Sequence, residues 1–283
     1  MMSEALQDQF PSSLSDERDA ARRIERREQV ETLSIRIVQI AIAAGLFGLW
    51  EWGARTGYIS TFLFGSPSQV WQLAVTRFQN GSLLYGAYVT GLETIIGFLL
   101  GSFLGTAIGL GLWYSRFVAR VMGVFILALG SVPVLALGPL IIIWFGVGVE
   151  SKIILATVSC VIVALLQAYE GAQQVDKDLI KLLKSFGATK FQIFTKVVIP
   201  SSYGWVVAAA KLNVGFALIG AVIGEYISSE AGLGNIILIA GANYNIPLVL
   251  LGIFSLMILA FILSMAVGLL ERSLLKWKVA GNR

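Results

Sequence analysis

Six long apolar runs divide this chain, and polar, charged stretches separate them. A bilayer core is about 30 Å thick, so each helical crossing needs about 20 mainly apolar residues. The runs Ser34–Ala54, Leu84–Trp113, Phe117–Trp144, Lys152–Ala168, Ser202–Ile223 and Pro247–Leu270 approach that length. They predict an all-α polytopic membrane protein with about six transmembrane helices. The third run holds Pro133 and Pro139. Each proline removes a backbone donor and clashes with the preceding turn, so this run is expected to kink or break near its outer half. Ahead of the first run, Ser15–Glu31 reads as a charged helix with little apolar face, lying at the interface, with Ser15 or Asp16 as its N-cap. The residues before it are expected to be disordered. No tandem repeat or low-complexity segment is evident.

Composition agrees with the pattern. Of the 283 residues 57% are hydrophobic and only 13% charged, against about 25% charged in a soluble domain. Lipid penalises charges and unpaired backbone groups, which selects long apolar helices. The net charge of +4 is spread over short loops, so it speaks of orientation and not of nucleic acid. Seventeen of the 21 basic residues fall on one side of the predicted spans: Arg18, Arg22, Arg23, Arg26, Arg27, Arg36, Arg116, Arg120, Lys177, Lys181, Lys184, Lys190, Lys196, Arg272, Lys276, Lys278 and Arg283. Only Arg55, Arg77 and Lys152 fall on the other, and Lys211 lies within a span. The positive-inside rule then places both termini and the Lys177–Lys196 loop in the cytoplasm. The expected organisation is a cytoplasmic tail and lead-in helix over 1–33, a membrane domain over 34–272 with a cytoplasmic loop at 170–200, and a cytoplasmic tail over 273–283. The polar N-terminal stretch precedes any apolar run, so no cleaved signal peptide is expected.

The chemistry is mostly defined by what is missing. The chain has no histidine and a single cysteine, Cys160. This excludes histidine metal sites, Ser-His triads and an internal disulfide, and Cys160 reads as a small core residue. There is no GxxxxGK[ST] loop, no metal-ligand spacing and no cofactor fingerprint. Gly97, Gly101, Gly105 and Gly109 recur every four residues. They form one stripe on a helix, where small residues let another backbone approach closely, in this chain or in a second copy. Glu93, Lys211 and Asn213 lie within spans, where a charge costs roughly 2.5–3.5 kcal/mol. They are therefore expected to face protein or a water-filled path, with pairing or snorkelling also open to Lys211. Glu225 is expected at the water-accessible outer end of its span. Glu230–Gly234 and the apolar residues after it are too short to cross. They read as a re-entrant or surface hairpin, a candidate outer gate. Pro133, Glu93, Lys211, Asn213, Glu225, Gly232 and Gly234 are the candidate path or gate residues.

The cytoplasmic loop carries the most specific pattern. Gly187, Val197, Ile199 and Pro200 resemble the Glu-Ala-Ala-x3-Gly-x9-Ile-x-Leu-Pro loop of binding-protein-dependent ABC importer permeases, with Lys181, Leu182 and Leu183 at its first three positions. Ser66-Pro-Ser-Gln-Val70, Gly97-Phe98, Pro133-Val-Leu-Ala-Leu-Gly-Pro-Leu140, Trp144-Phe-Gly-Val-Gly148, Lys152, Tyr169, Gly171, Glu225, Gly232-Leu-Gly234 and Glu271-Arg272 are similar to the sulfonate/taurine/nitrate branch. Glu93 stands where many members of the sulfonate type have Arg. The resemblance implies a type I ABC importer permease in the bacterial inner membrane. It implies a solute path for a small anion such as a sulfonate, taurine or nitrate, or alternatively for a pyrimidine or thiamine precursor or an aromatic acid. It implies a second permease copy, two ATPase subunits that hold ATP and Mg, and a periplasmic or lipid-anchored binding protein. It implies no cofactor and no catalysis on this chain. It assigns ATPase coupling to Lys181, Leu182, Leu183, Lys184, Phe186, Gly187, Ala188, Phe191 and Pro200. Phe186, Phe191 and Phe194 are apolar anchors for a partner cleft, or else pack on the inner ends of the spans. Two other functions compete. An ion-coupled secondary transporter predicts inverted repeats and mid-membrane ion ligands, and neither is evident. A membrane enzyme or scaffold lacks a catalytic constellation.

Overall fold

The computed structural model describes residues 11–228 and 230–274, with side chains described from residue 30 to residue 271. The expectations placed on residues 1–10 and 275–283 lie outside the described residues. Those described form helices joined by short turns, and the chain divides into two compact units, Met1–Ser68 and Gln69–Arg283.

The first unit is built on α1 (Pro11–Thr56), one continuous helix. The charged lead-in and the first span are therefore not separate elements, and Ser15 and Asp16 lie within the helix rather than at its start. The apolar stretch begins at Val30 and ends at Thr56. Gly57, at φ +80°, stops the helix. The chain folds back so that Ile59 N–H bonds the Gly53 carbonyl at 2.9 Å, and Tyr58 stacks on Trp52. After the single turn α2 (Thr61–Phe64), α3 (Pro67–Gln79) begins at the junction of the two units. Glu51 pairs with Arg55 at 2.6 Å and accepts the Ser68 N–H at 3.0 Å. A carboxylate there satisfies an orphan donor at the positive end of α3. The sequence pattern assigns no element to this stretch.

The second unit holds the remaining spans. α4 (Ser82–Leu112), α7 (Val149–Gln173) and α10 (Ile199–Ile227) pack as its core, and α12 (Ile246–Leu274) packs on α10. The glycine stripe finds its partner inside the chain. Gly97, Gly101, Gly105 and Gly109 lie directly on the backbone and small side chains of α7, against Ala156, Cys160, Ala164 and Ala168. A β-carbon at any of the four would overlap α7, so only glycine permits this approach. An adjoining face of α7 takes α10 in the same way, where Gly220 meets Ala156 and Ser159 and Gly224 meets Lys152 and Leu155. Such close contact replaces the hydrophobic drive that lipid cannot supply. Cys160 is fully buried in this seam, with Ala156, Ala217 and Ala221.

The expected third span is broken outright. α5 (Arg116–Gly130) and α6 (Val134–Phe145) meet at 93°. The break falls at Pro133, which caps α6, whereas Pro139 is carried inside α6. Among the described residues, five helices are long and apolar enough to cross a membrane, or six counting this bent pair as one. After α7 come α8 (Lys177–Ser185) and α9 (Lys190–Ile193). A π-helical turn over Phe194–Val198 then leads into α10. Pro200 cannot donate to the carbonyl four residues back, and the wider turn accommodates that missing bond. The short α11 (Leu233–Ala242) packs on α12, α10 and α4.

Candidate functional site

The second unit carries polar constellations at its two ends. At the lysine-poor end, three charged side chains that lie far apart in sequence are buried together: Glu93 on α4, Lys152 on α7 and Glu225 on α10, each 2% exposed or less. α10 delivers Glu225 under the turn that starts α11. Its Oε1 accepts from the Thr90 hydroxyl at 2.6 Å, and its Oε2 accepts from the Gly234 N–H at 2.6 Å. The Leu233 N–H bonds the same Thr90 oxygen at 2.8 Å. One carboxyl thus satisfies the start of α11, where backbone donors have no helical partner. Gly232 is required twice over. Its φ is +114°, and a β-carbon there would strike the Glu225 carboxyl. Lys152 donates to the carbonyls of Val147 and Gly148 while facing both carboxyls. Glu93 lies within hydrogen-bonding reach of Glu225. A cavity of about 570 Å³ opens beside them, lined among others by Tyr85, Glu93, Lys152, Tyr226 and Glu230.

At the lysine-rich end the chain forms an elbow. Asp176 caps α8 by accepting the Asp178 N–H at 2.8 Å. The helix closes in a Schellman motif, in which Ala188 N–H bonds Leu183 O at 3.0 Å and Gly187 N–H bonds Lys184 O at 2.9 Å. This needs a left-handed residue, and Gly187 supplies it at φ +79°. Thr189 and Gln192 then form a capping box that starts α9. Leu183, Ala188 and Phe194 pack inward on Val175, Ile193, Val197 and Val198. Phe194 also stacks on Trp113 at 5.7 Å. Lys190 bonds the Tyr114 carbonyl at 2.5 Å and sits over its ring. The elbow is therefore clamped to the ends of α4 and α7. Its outward face is apolar: Leu182, Phe186 and Phe191 are 51%, 78% and 64% exposed. A second cavity of about 610 Å³ lies behind it, and its lining includes Arg116, Lys177, Lys184 and Lys190 but no carboxylate.

Residues 95–276 match the family described as binding-protein-dependent transport system inner membrane component. The chain belongs to that family. A probable ABC transporter permease of Haemophilus influenzae is 29% identical, over 76% of this chain and 88% of its own length. The putative aliphatic sulfonates permease SsuC of Escherichia coli is 26% identical, over 87% of this chain and 94% of its own. The formylaminopyrimidine permease ThiX of Halalkalibacterium halodurans is 28% identical, over 82% of this chain and 92% of its own. In fold the chain is similar to an inward-facing structure of the MetNI methionine ABC transporter, with a TM-score of 0.62 at 21% identity over 69% of this chain and 97% of that one.

In this permease the path and gate candidates separate. Glu93, Glu225, Gly232 and Gly234 come together. Glu225 is buried and bonded rather than water-accessible as expected. Lys211 pairs with Glu271 at 2.6 Å. Asn213 is buried between the core helices. It donates to Ser102 at 2.9 Å, its Oδ1 has no partner among the described residues, and it lines an apolar cavity of about 430 Å³. Pro133 sits at the α5–α6 bend. Among the expected anchors, Phe186 and Phe191 face out and Phe194 faces in. Lys181 makes an exposed pair with Asp178 at 2.8 Å. Lys152 and Thr90 are missing from the path and gate candidates, Lys152 because as an isolated charge at a helix start it counts as a loop cation.

Proposed function

We propose that this permease forms the solute path of an ATP-driven importer and receives its energy through the elbow at 177–199. The observation that carries this reading is the elbow itself. It is locked internally by two capping motifs, bolted to α4 and α7, and presents bare aromatic and aliphatic groups outward. Exposed apolar groups on a rigid, lysine-rich projection have little use in water or lipid, but they suit a cleft on a partner. The partner is an ATPase subunit that holds ATP and Mg. Two copies of each chain assemble with a binding protein that delivers the solute, the lysine-rich end faces the cytoplasm, and the membrane is the bacterial inner membrane. Closure of the ATPases would push the elbow as a lever and rock the spans through the stiff α4–α7–α10 core. The substrate is small. Relatives named for aliphatic sulfonates and for a formylaminopyrimidine keep both solute classes in play.

The test is coupling. Co-expressed with the ATPase, the chain should co-purify with it and support vanadate-sensitive uptake, whereas the purified chain alone should hydrolyse no ATP. Single thiols placed at 177–196 should be labelled only from the cytoplasm. ATP turnover by the isolated chain, or labelling from outside the cell, refutes the reading.

A further inference from the structure

The cavity behind the elbow gathers cations from three elements. Arg116 opens α5, Lys177 and Lys184 belong to α8, and Lys190 opens α9, and all four line the same 610 Å³ space. Spacing explains how α8 contributes two of them. Lys177, Ile180 and Lys184 fall on one helical stripe, and all three line the cavity. Leu182 and Phe186, which the elbow turns outward, do not line it. The lysine stripe is therefore a second face of the elbow, distinct from the apolar one. The nearby carboxylates are already engaged. Asp178 pairs with Lys181, Asp176 caps α8, and neither lines the cavity. Lys190 is held by the Tyr114 carbonyl and ring, whereas Arg116, Lys177 and Lys184 have no ion-pair partner among the described residues. Like charges that converge on one concavity hold its potential positive, and such a potential draws a counter-anion.

The position of the cavity says which anion. It lies where α4 and α7 end and the elbow begins, with Trp113 and Tyr114 in its wall. Aromatic side chains at the ends of spanning helices mark the depth of the lipid head groups. Phosphate oxygens accept from Arg as a fork and from Lys as a point charge, and basic pockets at this depth take anionic head groups. We propose that the cavity holds the phosphodiester head group of an anionic phospholipid from the leaflet at the lysine-rich end, with Arg116, Lys177 and Lys184 donating to it. Seated between α5 and α8, the head group braces the elbow from behind and leaves Leu182, Phe186 and Phe191 open to a partner. This goes beyond the permease reading and needs only that the cavity lie at a bilayer surface.

The test uses the full chain purified in detergent, with native mass spectrometry as readout and phosphatidylglycerol, phosphatidylcholine and inorganic phosphate as probes. One phosphatidylglycerol should bind each chain saturably, about tenfold or more tighter than phosphatidylcholine. Replacing Lys177→Gln and Lys184→Gln together should weaken it on the order of thirtyfold, because each lysine beside an anionic head group contributes about fivefold. Lys196→Gln removes an exposed cation of the same loop that does not line the cavity, and it should change the affinity by less than about twofold. The unfolding temperature shows that both variants are folded. Equal binding of the two lipids, or equal losses in the two variants, would reduce the cluster to diffuse surface charge and overturn the proposal. Saturable binding of inorganic phosphate that phosphatidylglycerol does not displace would assign the cavity to a soluble anion and overturn it as well.

Discussion

The two ends of the helical core use charge and apolar surface in opposite ways. At the far end, Glu93, Lys152 and Glu225 are buried together, Lys152 and Glu225 are bonded into the backbone, and the turn at Gly232 closes over Glu225. At the elbow, Arg116, Lys177 and Lys184 have no ion-pair partner among the described residues, while Phe186 and Phe191 stand exposed. Burying a charge is tolerable only when it is paired and bonded, and Lys152 and Glu225 are completed by this chain's own residues. Exposing large apolar groups is tolerable when another chain covers them. The comparison separates a region whose variants should damage the fold from one whose variants should damage coupling.

The sharpest way to break that contrast is Glu225→Ala. It strands the Thr90 hydroxyl and the Gly234 N–H at once, and it removes one of the two buried carboxyls that the Lys152 ammonium faces. Removing one partner of a buried charge cluster costs about 3–5 kcal/mol. The unfolding temperature of the purified permease should therefore drop by many degrees. Glu225→Gln, which keeps an acceptor, should lose less. An unchanged unfolding temperature in Glu225→Ala would mean that the cluster does not hold the far end together.

Much of this architecture is legible in the residues, for reasons that also mark where legibility stops. Span length and lysine asymmetry are properties of single segments meeting a slab of lipid, so the apolar runs can be read directly. The stripe at Gly97–Gly109 announces a close contact because spacing alone places it on one face. The break at Pro133 follows from a missing donor. The pattern cannot choose between Pro133 and Pro139, because that choice depends on where α6 packs. The burial of Glu225 is equally hidden. It depends on α11 folding back, and nothing local to residues 220–228 records that. Lys152 looks like a loop charge until α4 and α10 bring two carboxylates to it.

At the elbow, Phe186→Ala should leave the unfolding temperature unchanged, because the side chain touches little of its own chain. It should weaken capture of the ATPase on the order of thirtyfold or more, the size of a central aromatic anchor of about 2 kcal/mol. Pull-down of the ATPase by wild-type and variant permease measures this. A stability loss without a docking loss would invert the comparison. Gly187→Val acts next. No atom lies within 4 Å of an added β-carbon, so its effect is conformational: a left-handed L-residue costs about 1–2 kcal/mol. ATP-driven uptake should fall roughly tenfold or more, with insertion intact. Gly187→Asn should retain most of it, since Asn tolerates that conformation. Normal uptake by Gly187→Val would count against a lever that depends on this turn.

The smallest effect tests which side of the elbow matters. Lys181 occupies the position where the family loop has an acidic residue, and its pair with Asp178 is 77% and 85% exposed on the two side chains. Such pairs are screened by water and add little. If docking rests on Leu182, Phe186 and Phe191, then Lys181→Ala should change ATPase-coupled uptake by less than about twofold, and raising the salt concentration should not widen the difference. A large loss that grows as salt is lowered would show that the elbow engages its partner through charge, and the apolar face would then be a secondary contact. The two ends of the core would differ less than their structures imply, because both would work through fixed charges.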